Sequence, residues 1–417
     1  MMRAGEPRHS VPVRTGGGPI AFPSSTKCGT FSMARPTSPS HENFLQVRTF
    51  GSLDGLRALS ILGVLWVHAW LVSGSFERLE AIPVLRMGGF GVDIFFAISG
   101  FLITTLLLRE RRKSGRISLR SFYIRRTLRI WPLYYATLAF YILLVLFSQR
   151  GTERGHVFFH YLPGYLTFTY TWFTGWFASG AIFNFAWSLS VEEQFYLLWA
   201  PVLRLLRGLW PATLMVLLIA VRVSTLYGSL WRIVPPASLL GRMAANISMG
   251  ICLGVLLALA LDSEFFFNRA RSVLGHRWSA PCALGLLLLS LAPESSPLVD
   301  VCQAATLPLL VGACVVREDN GLAPFLRLRP VAYIGIISYG MYMLNTLTLD
   351  GLHPLLRRMG VINPVIVFPL FALMTVAVAT LSYRYFESPF LKLKSRFSRL
   401  LPPAKKAEMV SATSEPC

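Results

Sequence analysis

Between residues 53 and 386 the chain returns repeatedly to apolar runs of about 17 to 22 residues, the length that crosses a hydrocarbon core as a helix. Little else constrains a fold so tightly. The 417 residues are 54% hydrophobic and only 14% charged, with mean hydropathy +0.54. A soluble globule has too little interior to hide so much apolar sequence. The pattern predicts an all-α polytopic membrane protein of about ten transmembrane helices. They fall near 53–73, 88–108, 131–148, 189–206, 212–228, 245–262, 280–293, 301–316, 333–349 and 364–386. Residues 1–48, rich in Gly, Pro, Ser, Thr and Arg, read as a disordered tail without a cleavable signal peptide. Residues 49–392 form the membrane domain, and 393–417 a second tail.

The net charge of +20 excludes nucleic acid as the natural partner once its placement is considered. The basic residues lie between apolar runs rather than on a soluble face, as expected where positive charge collects on the cytoplasmic side. The stretch "LRERRKSGRISLRSFYIRRTLR" is the extreme case and is assigned to the cytoplasm, so both termini are expected there too. The six cysteines show no CxxC pair and mostly lie in apolar text, where they read as small core residues. No HExxH or Cys/His cluster calls for a metal. The aromatic segment 157–186 reads as an outer loop along the interface. Its Tyr161, Tyr165, Tyr170, Trp172 and Trp176 suit either an interfacial belt or stacking on sugar rings.

Against this apolar background a few polar residues stand out. "LDGLRALSILGVLWVHAW" carries Asp54, Arg57 and His68. Eleven helical steps return to within about 20° of the start, so Arg57 and His68 share a face, roughly 16 Å apart along the axis. Ionisable groups inside a membrane face a cavity or a partner and mark a functional path. In "GGFGVDIFFAISGFLIT" Asp93 reaches nearly the depth of His68, where a carboxylate would fix the imidazole tautomer. Ser99 and the glycines of that run permit either close helix packing or direct substrate contact. "WSLSVEEQFYLLW" lines up Ser188, Glu192, Tyr196 and Trp199 on one face. At the cytoplasmic end, "IRRTLRIWPLY" clusters Arg125, Arg126 and Arg129, which suit phosphate through bidentate hydrogen bonds. Arginines at one mouth and a histidine with acids in the other half suit a phosphorylated donor from inside and an acceptor outside.

These stretches, together with "IGIISYGMYM" and "SYRYFESPF", occur in order from about residue 50 to about 392. As a set they resemble the acyltransferase-3 family of integral-membrane acyltransferases. The resemblance implies transfer of an acyl group, usually acetyl, from acyl-CoA at the cytoplasmic side to a hydroxyl of an extracytoplasmic or lipid-linked glycan. Membrane lipid and a glycan or glycolipid acceptor are the implied partners, in a multi-pass protein of the cell membrane. It implies His68 as the catalytic histidine, Arg57 as its paired arginine, Arg126 and Arg129 as the Arg-x-x-Arg element, and Glu192 as the acid of the "WSL" motif. The candidate set is thus His68, Asp93 and Glu192 for catalysis, with Arg57, Arg125, Arg126 and Arg129 for the acyl-CoA donor. Ser99, Tyr196 and Asn345 are candidates for substrate contact.

Two departures from the family stand out. Asn345 occupies a place where the family often has histidine, and asparagine cannot exchange a proton near neutral pH. The sequence also runs only about 30 residues past the last apolar run, so no extracytoplasmic hydrolase-like domain is expected. Other readings of the polar residues are acylation of a small secreted metabolite, a non-enzymatic lipid or glycan transporter, and a regulatory member of the family. No motif sets an oligomeric state.

Overall fold

A computed structural model describes residues 40–47, 49–73, 90–174, 181–290, 296–395 and 397. Helices and turns account for them, with no strand among the described residues. The helices that follow the apolar runs are α1 (Gly51–Val72), α2 (Phe90–Ser114), α3 (Leu119–Ser148), α4 (Ala186–Leu205), α5 (Trp210–Leu226), α6 (Met249–Asp262), α7 (Ser279–Leu289), α8 (Pro297–Val316), α9 (Arg329–Arg358) and α10 (Pro364–Ser382). Each overlaps one of the apolar runs. Among the described residues, α2, α3, α8 and the helical stretch Pro364–Leu393 are long and apolar enough to cross a membrane. A fifth is added if the helix Leu239–Ala245 and α6, bent by 58° at their junction, are one broken span. Helices α5 and α7 are apolar but shorter. The protein is therefore a helical membrane protein whose outward faces are greasy: Phe147 is 87% exposed, and Leu197, Leu198, Leu217 and Leu373 also face outward. In water that exposure would be unfavourable; against lipid it is neutral.

Local chemistry sets several helix ends beyond the apolar runs. Ser118 caps α3, its side chain accepting from the Ser121 N–H, so the helix begins twelve residues before the apolar run at 131. Pro330 lies in the first turn of α9, where a missing N–H does no harm. That helix continues to Arg358 and stops before Gly360, which has φ of 72°. The segment 157–186 is partly helical: Glu153–Leu166 is capped by Thr152, and Tyr170–Phe173 follows. Within the expected N-terminal tail, His41–Gln46 form a helix. Arg109 holds it, donating to the Val47 and Phe44 carbonyls at 2.5 and 2.8 Å. The rest of that tail (1–39), most of the C-terminal tail, and Trp176 lie outside the described residues. Cys28 and Cys417 lie outside them as well. Cys252 and Cys314 are buried as expected, whereas Cys282 and Cys302 stand on exposed faces.

The helices that matter for the site interlock closely. Helix α2 packs along α6, α9 along both α1 and α10, and α1 against α2, while α4 leans on α2 and α3. The α2–α6 contact depends on glycine. A Cβ at Gly254 would lie 2.2 Å from the Ala97 carbonyl oxygen, and one at Gly100 would lie 2.3 Å from that of Ile251. The α1–α9 contact is tighter still: a Cβ at Gly335 would stand 1.8 Å from the Asp54 carbonyl oxygen. Small residues allow backbones to approach where no hydrophobic force drives helices together. The result is a fixed relation between α1, which carries Arg57 and His68, and α9, which carries the "SYGMY" run.

Candidate functional site

A cavity of about 230 Å³ opens where α1, α2, α3, α4 and α9 converge. Arg57 from α1 and Arg126 and Arg129 from α3 line it, together with Ser99 of α2 and Ser188, Glu192 and Tyr196 of α4. Helix α9 contributes Ser338, Tyr339 and Tyr342. Phe95, Phe96, Leu102, Ile103 and Leu106 give the wall apolar stretches. Polar groups converging in a mostly apolar hollow are the usual makings of a small-molecule site.

Positive charge dominates one part of the wall. Arg57 pairs with Asp54 one turn earlier at 2.7 Å. Arg126 stands over the Tyr196 ring with its guanidinium carbon 5.3 Å from the centroid, and over the Phe122 ring at 5.9 Å. Stacked and only partly paired guanidinium groups keep N–H donors available for an anion. Arg125 behaves differently. It is bonded to the buried Glu110 at 3.0 Å and to the Phe397 carbonyl at 2.9 Å. Glu110 also accepts from the Ser118 N–H at 3.0 Å, closing the turn between α2 and α3. Arg125 is thus part of the scaffold and is absent from the cavity wall, whereas its neighbours Arg126 and Arg129 line it.

Beside the arginines, and sharing their hollow rather than set apart with His68 as the sequence suggested, lies a compact hydroxyl–carboxylate cluster. Ser99 donates to Glu192 Oε1 at 2.5 Å, and the Tyr196 hydroxyl lies 3.1 Å from Ser99 Oγ. Serine has one hydroxyl proton, so with that proton on Glu192 the contact with Tyr196 is a bond from the phenol to Ser99. Deeper on α4, Trp199 donates to Thr104 at 2.8 Å and fixes α4 against α2. Ser188 and the Tyr342 hydroxyl are 2.5 Å apart, and Tyr339 donates to the Ile130 carbonyl at 2.6 Å.

His68 occupies a neighbouring layer and does not line this cavity. Its Nδ1 lies 2.9 Å from Asn345 Oδ1. Asn345 Nδ2 donates to the Tyr342 carbonyl at 2.5 Å, and Thr346 donates to Asn345 Oδ1 at 3.1 Å. An amide whose nitrogen must donate to a carbonyl has its oxygen turned the other way, so Asn345 accepts from His68. That network assigns the proton of the neutral ring to Nδ1 and leaves Nε2 as the basic atom. The orienting partner is therefore Asn345, rather than Asp93 or Glu192. Asp93 lines a separate cavity of about 140 Å³ with Arg222, Ser248, Asp300 and Gln303. Depth along a helix brought Asp93 level with His68, but its azimuth on α2 turns it towards α5, α6 and α8.

Three lining residues on α9 come from a stretch whose sequence alone points to no role. Ser338, Tyr339 and Tyr342 all belong to "IGIISYGMYM", where the i, i+4 spacing of 338 and 342 was the available signal. Of the aromatic candidates for sugar stacking, Tyr165 and Tyr170 are fully buried. Trp172 is tied to Gln194 at 3.0 Å. These three hold the fold together. Among the described residues no group of three or more His, Cys, Asp or Glu is placed to hold a metal ion.

Residues 50–384 match the family described as an acyltransferase domain. The chain is 26% identical over 374 residues to the peptidoglycan O-acetyltransferase OatA of Listeria monocytogenes, a match covering 82% of this chain and 56% of that protein. It is 29% identical over 371 residues to the putative peptidoglycan O-acetyltransferase YrhL of Bacillus subtilis, covering 82% and 55%. A putative O-acetyltransferase of Staphylococcus aureus is 27% identical over 393 residues, covering 84% and 58%. The chain thus spans a little over half the length of these relatives. No solved structure matches it.

Proposed function

Because the chain belongs to the acyltransferase domain family, we propose that it is a multi-pass cell-membrane enzyme that moves an acetyl group from acyl-CoA to a hydroxyl of a cell-wall glycan. Relatives named as peptidoglycan O-acetyltransferases support both the group and the acceptor class. The reading takes the ten apolar runs as spans, with both termini in the cytoplasm from the distribution of Lys and Arg. In that orientation Arg57, Arg126 and Arg129 face the side from which acyl-CoA arrives.

The observation that carries the reading is the shared cavity of these three arginines with Ser99 and Glu192. Guanidinium groups grip the phosphates of the nucleotide, and the acyl-pantetheine arm enters between α2 and α4. The acceptor hydroxyl is deprotonated at His68 Nε2, held in the basic tautomer by Asn345. A positioned base of this kind contributes about 10²–10⁴-fold to the rate. Neither part of the reaction calls on a metal.

The test is reconstitution. Purified protein in lipid nanodiscs, given radiolabelled acetyl-CoA and peptidoglycan fragments, should release CoA and acetylate the glycan. Label that stays entirely in acetyl-CoA, with folded protein and acceptor glycans of several types present, refutes the proposal.

A further inference from the structure

The cavity wall and His68 do not coincide. The groups suited to hold the donor share one hollow with Ser99, Glu192 and Tyr196. The imidazole lies in the next layer, bonded to Asn345. A thioester bound among the arginines is therefore presented to the hydroxyls of the cavity before it meets an alcohol activated at His68. Those hydroxyls can be compared on their partners. Ser338 donates to the Gly335 carbonyl at 2.9 Å, Tyr339 to the Ile130 carbonyl, and Ser188 is paired with Tyr342. Ser99 alone among the cavity serines gives its proton to a carboxylate, at 2.5 Å.

We propose that Ser99 is a nucleophile of this enzyme, taking the acyl group from acyl-CoA as a transient ester before it passes to the acceptor. The proposal rests on the acyltransferase reading above. A weak nucleophile is activated when its proton is held by an adjacent base, and here Glu192 is that base. In the first half-reaction the Ser99 Oγ–carbon bond forms and the carbon–sulfur bond of the thioester breaks. The Oγ proton goes to Glu192 and from there to the departing CoA sulfur. Tyr196, donating to Oγ, keeps the oxygen in place, and the arginines nearby favour the negative charge that develops. In the second half-reaction the acceptor oxygen forms a bond to the acyl carbon and the Ser99 Oγ–carbon bond breaks. The acceptor gives its proton to His68, and that proton is then returned to Ser99 Oγ, leaving His68 neutral and Glu192 ionised as they began. The net change is acyl transfer from sulfur to the acceptor oxygen, with no other reactant. Two half-reactions fit a membrane enzyme whose donor and acceptor arrive from opposite faces, since the acyl group alone has to travel.

The test uses the full chain in nanodiscs with radiolabelled acetyl-CoA and no glycan, followed by peptide mass spectrometry. His68→Ala blocks the second half-reaction and is expected to accumulate label on the peptide containing Ser99, towards one acyl group per chain. Adding glycan to the labelled enzyme should then clear the label from the parent but not from His68→Ala. Ser99→Ala should abolish the protein-bound label and reduce CoA release at least a hundredfold. Ser99→Cys keeps the size and fold and converts the linkage from an ester stable to neutral hydroxylamine into a thioester cleaved by it. The inference is overturned if the parent enzyme acetylates glycan while no label is found at Ser99 in His68→Ala, or if Ser99→Ala turns over at the parent rate. Failure of the parent to release CoA with any glycan overturns the acyltransferase reading itself, and the serine ester with it.

Discussion

Asn345→Leu is the substitution that isolates the control of the His68 ring. Leucine has the same branched outline as asparagine, with bulkier methyl ends, but accepts no hydrogen bond. In the parent, Asn345 Oδ1 receives the His68 Nδ1–H at 2.9 Å and the Thr346 hydroxyl at 3.1 Å. Without it, the neutral imidazole loses the bond that favours the Nδ1–H tautomer, and part of the population carries its proton on Nε2, where the base is needed. One such bond is worth about 1 kcal/mol net. At about 1.4 kcal/mol per tenfold in rate, kcat is expected to fall roughly five- to tenfold, well short of the loss from removing the ring. Asn345 does not line the donor cavity, so KM for acyl-CoA should stay within about twofold. The measurement is CoA release with glycan acceptor, normalised to the monodisperse folded fraction. A kcat equal to the parent's, or a rise in KM as large as the fall in kcat, refutes the tautomer argument.

Other substitutions probe the remaining parts. His68→Ala should leave the protein folded and lower acyl transfer by about 10²–10⁴-fold, read from glycan acetylation by mass spectrometry. Arg126→Ala or Arg129→Ala should raise KM for acyl-CoA at least several-fold and leave the thermal midpoint nearly unchanged. Arg125→Ala should do the reverse. It strands Glu110, whose side chain is 2% exposed, and breaking a buried pair costs about 3–5 kcal/mol, so thermal unfolding in detergent should shift sharply downward. Gly335→Ala forces a Cβ against the Asp54 carbonyl oxygen. Overpacking of this kind costs about 1–3 kcal/mol, and the displacement of α1 from α9 should lower kcat further by parting His68 from Asn345.

Much of the helix map was legible because hydropathy is periodic over lengths set by the bilayer. The ends were less so, for a physical reason. Hydropathy reports where a chain meets lipid, whereas a helix ends where its backbone bonds end. Helix α3 therefore begins at its Ser118 cap, amid the basic residues, and α9 runs on to Arg358 despite its polar last turns. The site was legible along each helix but not around it. Arg57, Arg126, Arg129, Ser99, Glu192 and Tyr196 meet in one cavity, whereas the sequence pattern set Glu192 with His68 in the half away from the arginines. Asp93, at the right depth, faces a different cavity. Arg125 sits in the same basic run as Arg126, and no one-dimensional pattern shows that Glu110 claims it. Asn345 looked like a loss beside the family histidine. Only the orientation of its amide, set by the Tyr342 carbonyl, reveals it as the partner of His68.

The ten residues between Arg57 and His68 lie on one unbroken helix clamped against α9 at Gly335. Such a rod acts as a gauge. Replacing an intervening side chain leaves the separation of the two ends untouched, but inserting or deleting a single residue swings one end by about 100° and shifts it by about 1.5 Å. This stretch should therefore tolerate changes of spelling while forbidding changes of length.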